Sequence, residues 1–181
     1  MVVVSELTLQ SIEAGRIVQI RHRLANVRTV DADDRRLRLL VISCSSAKRR
    51  RPKDKIPAIQ RYDGIFYKVL RKTIREGTVD YPLIVAIISA KYGLITPDTL
   101  IPAYNMKMNA CQAKTLGPVI RKELQKLINK HKPGAILINL GKAYAAIIRN
   151  LPELNNAVRA AGPIGKRAAI LKSWLTDDNP S

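Results

Sequence analysis

From Leu37 onward the apolar positions fall into blocks whose period changes as the chain advances. Leu37 to Ser43 (Leu-Arg-Leu-Leu-Val-Ile-Ser) is a nearly unbroken apolar run, as in a strand covered on both faces of a parallel sheet. Tyr62 to Glu76 carries apolar residues at 62, 65, 66, 69, 70 and 74, which is helical spacing, and Gly77 closes it. Pro82 to Ile88 is a second buried strand. The stretch Ser89 to Tyr104 holds Pro97 and Pro102 and predicts an irregular loop. Asn109 to Lys130 is a long helix with Leu116, Ile120, Leu124, Leu127 and Ile128 on one stripe. Gly117-Pro118 should kink or split it. Pro133-Gly134 precedes a third strand, Ala135 to Leu140, followed by a helical Gly141 to Arg149. Ala157 to Ala160 predicts a short fourth strand and Gly165 to Leu175 a last helix.

Residues 1–34 follow a different rhythm. Arg16 to Arg23 alternates roughly, Ala25 to Val30 follows after a polar break, and Thr8 to Gly15 fits one helical turn with a glycine cap. This predicts a short N-terminal β-hairpin extension over 1–34, ahead of an α/β domain over 35–181. Strands alternating with helices specify a three-layer α-β-α fold around a mostly parallel sheet of four strands or slightly more.

Composition supports a real core, since 46% of the 181 residues are hydrophobic; with one Phe and one Trp that core must be aliphatic. Charge adds more. Thirty-two Lys and Arg against 14 Asp and Glu leave +18. The excess is clustered: Lys48 to Lys55 holds Lys48, Arg49, Arg50, Arg51, Lys53 and Lys55. Such a patch suits a polyanion, so Arg49, Arg50, Arg51, Lys53 and Lys55 are the candidate nucleic-acid contacts. Cys44 and Cys111 form no metal-type pair, and His22 and His131 add no ligand spacing, so neither a metal nor a cofactor is called for. With no signal peptide and no apolar run long enough to span a bilayer, the chain reads as cytoplasmic, with no membrane partner.

In an open α/β sheet, ligands bind beyond the carboxyl ends of the strands. The first such segment is Ser43-Cys44-Ser45-Ser46-Ala47-Lys48, which offers hydroxyls, a thiol, backbone N–H groups and an ammonium for an anion or base edge. The second is Ser89-Ala90-Lys91-Tyr92-Gly93-Leu94, with a point charge, a stacking face and a flexible glycine. Gly141-Lys142-Ala143-Tyr144 opens a helix, where free N–H groups favour an anion. Gly162-Pro163-Ile164-Gly165-Lys166-Arg167 offers Gly165 and Lys166 similarly, though its spacing is not a P-loop. Each is equally consistent with an ordinary strand-to-helix turn. Cys44 could be a nucleophile activated by Lys48, but a small buried residue is the commoner role for Cys and no obvious base accompanies it. Of the loop carboxylates, Asp98 is a candidate for acid–base work, whereas Asp63 is better read as the N-cap of the helix after it.

The motifs Ser43-Cys44-Ser45-x-x-Lys48, Arg61-Tyr62-Asp63-Gly64-x-x-Tyr67, Ser89-Ala90-Lys91-Tyr92-Gly93-Leu94-Ile95-x-Pro97-Asp98 and Pro102-x-Tyr104 resemble a family of bacterial and archaeal α/β domains. That family looks related to the YaaA peroxide-stress proteins and to the uracil-DNA-glycosylase-like core domain of archaeosine-tRNA-modifying enzymes. The resemblance covers roughly residues 37–175. It implies a nucleobase, nucleotide or nucleic-acid ligand held between the motif loops, with Cys44, Ser45, Lys48, Tyr62, Tyr67, Lys91, Tyr92, Gly93 and Asp98 at matching positions. No Pro-Tyr, Ser and His follow Lys48, so the archaeosine lyase chemistry does not carry over. Two readings stay open: an enzyme acting at a nucleobase or N-glycosidic bond, and a non-catalytic DNA- or RNA-binding protein.

Overall fold

The computed structural model describes residues 37–79 and 81–177. The N-terminal hairpin predicted over 1–34 lies outside the described residues. Strand β1 (Arg38–Ser43) is the middle of the sheet. It pairs in parallel with β3 (Leu83–Ser89) on one side and with β6 (Ala135–Asn139) on the other. The edges are β4 (Gly93–Ile95), antiparallel to β3, and β7 (Val158–Arg159), parallel to β6. The order is β4-β3-β1-β6-β7, with a separate pair formed by β2 (Ile56–Pro57) and β5 (Leu100–Ile101).

Alternation along β1 divides the core. Leu40 and Ile42 face α2 (Ile65–Glu76) and α5 (Ile164–Thr176), where Leu70, Ile74, Leu171 and Trp174 pack on them. Leu39 and Val41 face α3 (Ala110–His131), with Ile120, Leu124 and Ile128. These two faces make the three-layer α/β fold that the sequence pattern called for. Arg38, set in an apolar run, is buried too. Its guanidinium lies 3.6 Å from the Tyr81 ring centroid and donates to the carbonyls of Trp174 (2.8 Å) and Asp177 (2.6 Å). A cation thus satisfies the last carbonyls of α5 and ties that helix to β1.

Three local expectations change. The 89–104 stretch is not irregular: Gly93, at φ 73°, reverses the chain so that Gly93–Ile95 folds back on β3, and Leu100–Ile101 finds β2. Pairing across distant sequence supplied order that local propensity could not signal. Nor does Gly117-Pro118 split the long helix, which runs unbroken from a reciprocal Asn109–Gln112 capping box to His131. Gly117 is buried there, against Ile147 of the 3-10 turn Ala146–Ile148 that follows the short α4 (Lys142–Ala145). Finally, Asp63 does not cap α2, whose N-cap is Gly64. Its carboxylate is taken instead by Arg71 (2.8 Å), Arg49 (3.6 Å) and Lys68 (3.9 Å). Among the described residues no helix is long and apolar enough to cross a membrane.

Because Leu40 is wholly buried at the centre of the sheet, Leu40→Ala should cost about 2–5 kcal/mol. Urea denaturation should show a lower midpoint with an unchanged slope.

Candidate functional site

The site begins with Arg61, the last residue of α1 (Ala58–Arg61), whose side chain has no exposure to solvent. A buried guanidinium needs acceptors, and here all of them are backbone carbonyls: Arg49 (2.6 Å), Pro52 (3.1 Å), Asp54 and Ile101 (3.3 Å). The loop after β1 is therefore wrapped around Arg61. Two backbone bonds hold it further, Arg49 N–H to Arg61 O (2.9 Å) and Asp63 N–H to Ala47 O (2.8 Å). Gly64 lies against Ser45 so closely that a Cβ there would collide with the Ser45 hydroxyl, which accounts for the glycine in Arg61-Tyr62-Asp63-Gly64.

Tyr104 stands between the two motif loops. Its hydroxyl lies 2.6 Å from that of Tyr62 and 2.9 Å from Ser89 Oγ. Ser89 Oγ also accepts the backbone N–H groups of Lys91 and Tyr92, both at 3.2 Å. With both lone pairs engaged, Ser89 donates its proton to Tyr104, whose hydroxyl shares a further hydrogen bond with that of Tyr62. The three hydroxyls form a chain from the end of β3 to the interior. Burial, the largest effect, pushes the Tyr62 phenol up to about 12 and Tyr104 well above its ordinary value, so both are neutral hydrogen-bonding groups near pH 7.

Two ammonium groups meet this tyrosine. Lys48 Nζ is 4.3 Å from the Tyr104 ring centroid and Lys91 Nζ is 5.5 Å from it. Lys91 is also 5.3 Å from the ring of Tyr92, which packs edge-on against Tyr104. Lys48 is half-buried, and desolvation lowers its pKa, partly offset by the nearby Cys44. Beside Tyr104 opens a cleft of about 540 Å³ lined by Ser46, Lys48, Arg50, Ala103, Tyr104 and Asn105.

The remaining sequence candidates distribute unevenly around this centre. Tyr62 and Tyr67 are fully buried and support the site from below; Tyr67 donates to the Ser43 carbonyl (3.1 Å). Cys44 is half-buried with its sulfur 3.2 Å from the Tyr144 hydroxyl. Asp98 is exposed in the turn between β4 and β5, where it accepts from Thr96, and it does not line the cleft. Pro97 and Thr99 on either side accept the first N–H groups around α1, so the Pro97-Asp98 motif has a structural role. Gly141 is the N-cap of α4 and Lys142 is exposed beside it. Gly165 and Lys166 are exposed in the first turn of α5, and none of these four lines the cleft.

Sequence reasoning left out Tyr104 as a site residue, although its Pro102-x-Tyr104 motif was visible. It also missed Asn139, which is wholly buried at the end of β6. The Asn139 oxygen accepts from Arg167 Nε (3.1 Å) and Nη2 (2.6 Å), while its N–H₂ has no protein acceptor among the described residues. Only the apolar run ending in Asn could have hinted at it. Among the described residues no cluster of three or more His, Cys, Asp or Glu could hold a metal ion.

A family model, described as a family of unknown function, DUF6884, matches residues 39–173, from β1 to the last helix. The chain belongs to DUF6884. The match spans the Lys48 loop, the Arg61-Tyr62-Asp63-Gly64 turn, Lys91 and Tyr104, so the whole cleft lies within the DUF6884 domain. No curated protein matches the chain.

Removing one hydroxyl tests the three-hydroxyl chain. Tyr104→Phe should lower stability by about 1–2 kcal/mol at neutral pH, since Ser89 and Tyr62 each lose a partner. A phenol whose folded pKa is raised contributes stability that is present below its unfolded value of 10.0 and lost as pH climbs. Alkaline unfolding followed by circular dichroism should therefore set in between pH 10 and about 12, and start from a lower stability in the variant.

Proposed function

We propose that this DUF6884 protein is nucleotide- or nucleic-acid-directed and takes a phosphate of its ligand in the Tyr104 cleft. The observation that supports this is the convergence of Lys48 and Lys91 on one tyrosine ring, with Arg50 on the rim. Among the described residues, no ion pair engages Lys48, Arg50 or Lys91. Two cations lining the cleft, Lys48 and Arg50, and a third, Lys91, against the same tyrosine ring suit an anion, and a phosphate ester also presents a sugar or base to the tyrosine edge. The motif resemblance to YaaA-like and archaeosine-enzyme domains points the same way.

The lining speaks first for binding and orientation. A reaction at a nucleobase or N-glycosidic bond needs a base or nucleophile, and Asp98 sits outside the cleft. Lys48, a half-buried cation of the cleft lining, is placed for that binding and orientation. Cys44 is engaged by Tyr144 instead.

Isothermal titration with nucleoside 5′-monophosphates should detect binding that the unphosphorylated nucleosides lack. The Lys48→Ala/Lys91→Ala protein should bind at least roughly tenfold more weakly, since hydrogen bonds to charged groups contribute about 1.5–3 kcal/mol each. Equal affinity for nucleoside and nucleotide, or a double variant that binds as tightly as the parent, would remove the proposal.

A further inference from the structure

Beyond the cleft, the loop wrapped around Arg61 carries a second feature. Its carbonyls at Arg49, Pro52 and Asp54 turn inward to the buried guanidinium, and its side chains turn out. Arg49, Arg50, Arg51, Lys53 and Lys55 are all exposed. Only Arg49 has a carboxylate partner among the described residues, Asp63 at 3.6 Å. Asp54 is the single acidic side chain from Lys48 to Lys55. The outcome is a held ridge of cations, and Arg50 belongs both to it and to the cleft wall.

We infer that the ligand is a polynucleotide strand whose backbone runs along the Arg49–Lys55 ridge and enters the cleft at Arg50. This rests on the reading of the cleft as a phosphate site. A single phosphate in the cleft could engage Lys48 and Arg50, which line it, but it would leave Arg51, Lys53 and Lys55 without a counter-charge. Successive phosphates of one strand would reach both. A membrane surface fits less well, because an interfacial segment needs apolar side chains to enter the acyl boundary, and from Arg49 to Lys55 the only uncharged residue is Pro52. Arg61 acts as a positioning residue: it touches no ligand, and it fixes the direction in which the ridge side chains project.

The test uses the full chain carrying Arg51→Ala, Lys53→Ala and Lys55→Ala together. These side chains are exposed and outside the cleft lining, so the fold and the cleft should persist, as a thermal melt will show. Binding of fluorescein-labelled 15-nucleotide single strands, one DNA and one RNA, is followed by anisotropy across a salt series, beside a nucleoside monophosphate. The parent should bind the oligonucleotide more tightly than the mononucleotide. The triple variant should lose at least roughly tenfold of its oligonucleotide affinity at low salt, and its log–log salt slope should shrink by about 2, near 0.7 for each phosphate contact removed. Its mononucleotide affinity should not change. An unchanged oligonucleotide affinity and slope would overturn the inference, while mononucleotide binding sensitive to Lys48→Ala would leave the cleft reading standing. Binding to phosphatidylserine vesicles that the same three substitutions abolish, with no binding of either strand, would also overturn it.

Discussion

The arrangement of this protein's functional edge depends on one buried charge. A guanidinium out of water is costly unless its nitrogens find acceptors, and each of the three Arg61 nitrogens donates to a backbone carbonyl without any carboxylate. Backbone carbonyls from three points of one loop must therefore converge on it. That requirement bends the chain after β1 back toward the turn before α2, and it brings Lys48 into a bridge with Tyr62. Each residue of the Arg61-Tyr62-Asp63-Gly64 turn then has a separate task. Arg61 gathers the loop, Tyr62 hydrogen-bonds Tyr104, Asp63 pairs with Arg71 and lies near two further cations, and Gly64 lets Ser45 approach.

The second fixed point is the end of β3. Ser89 is buried and spends both lone pairs on the amides of Lys91 and Tyr92, so the turn that carries those residues is set by a side chain of the strand itself. The same hydroxyl orients Tyr104. A strand end, a turn and a distant loop thus share one oxygen, and Tyr104 couples the two motif loops. Because parallel strands end at the same edge, Ser43, Ser89 and Asn139 arrive there together.

What could be read from the sequence was whatever the apolar period encodes. Leu37 to Ser43, Pro82 to Ile88 and Ala135 to Leu140 announced buried strands, and the 3.6-residue stripes announced α2 and α3. Gly77 was legible as a stop because it ends α2 in the left-handed region, at φ 73°. The short strands Gly93–Ile95 and Leu100–Ile101 were not legible, since two or three residues carry no period and their partners lie elsewhere in the chain. Asp63 misled because an acid before a helix looks like a cap, whereas Lys68 and Arg71 of α2 and Arg49 of the preceding loop take its carboxylate. Lys48 and Lys91 could be named from their loops, yet not their meeting at Tyr104, because nothing local to Pro102-Ala103-Tyr104 marks it as the shared neighbour.

The cations at this edge come in two electrostatic grades, and the difference bears on the proposed ligand. Arg51, Lys53 and Lys55 stand in solvent, where ions screen them within about a Debye length of 8 Å at physiological salt. They can raise the rate of encounter with an anionic strand and hold it without regard to sequence. Lys48 is half-buried against a tyrosine, where screening is weaker and where desolvation already disfavours its charge. An anion arriving beside Lys48 relieves that penalty, so its interaction is stronger there than at the ridge for the same formal charge. On the proposed reading, the ridge collects the strand and the cleft discriminates what enters. Selectivity would then reside in the neutral hydroxyls and rings around Tyr104, which distinguish shape and hydrogen-bonding pattern as a bare positive surface does not.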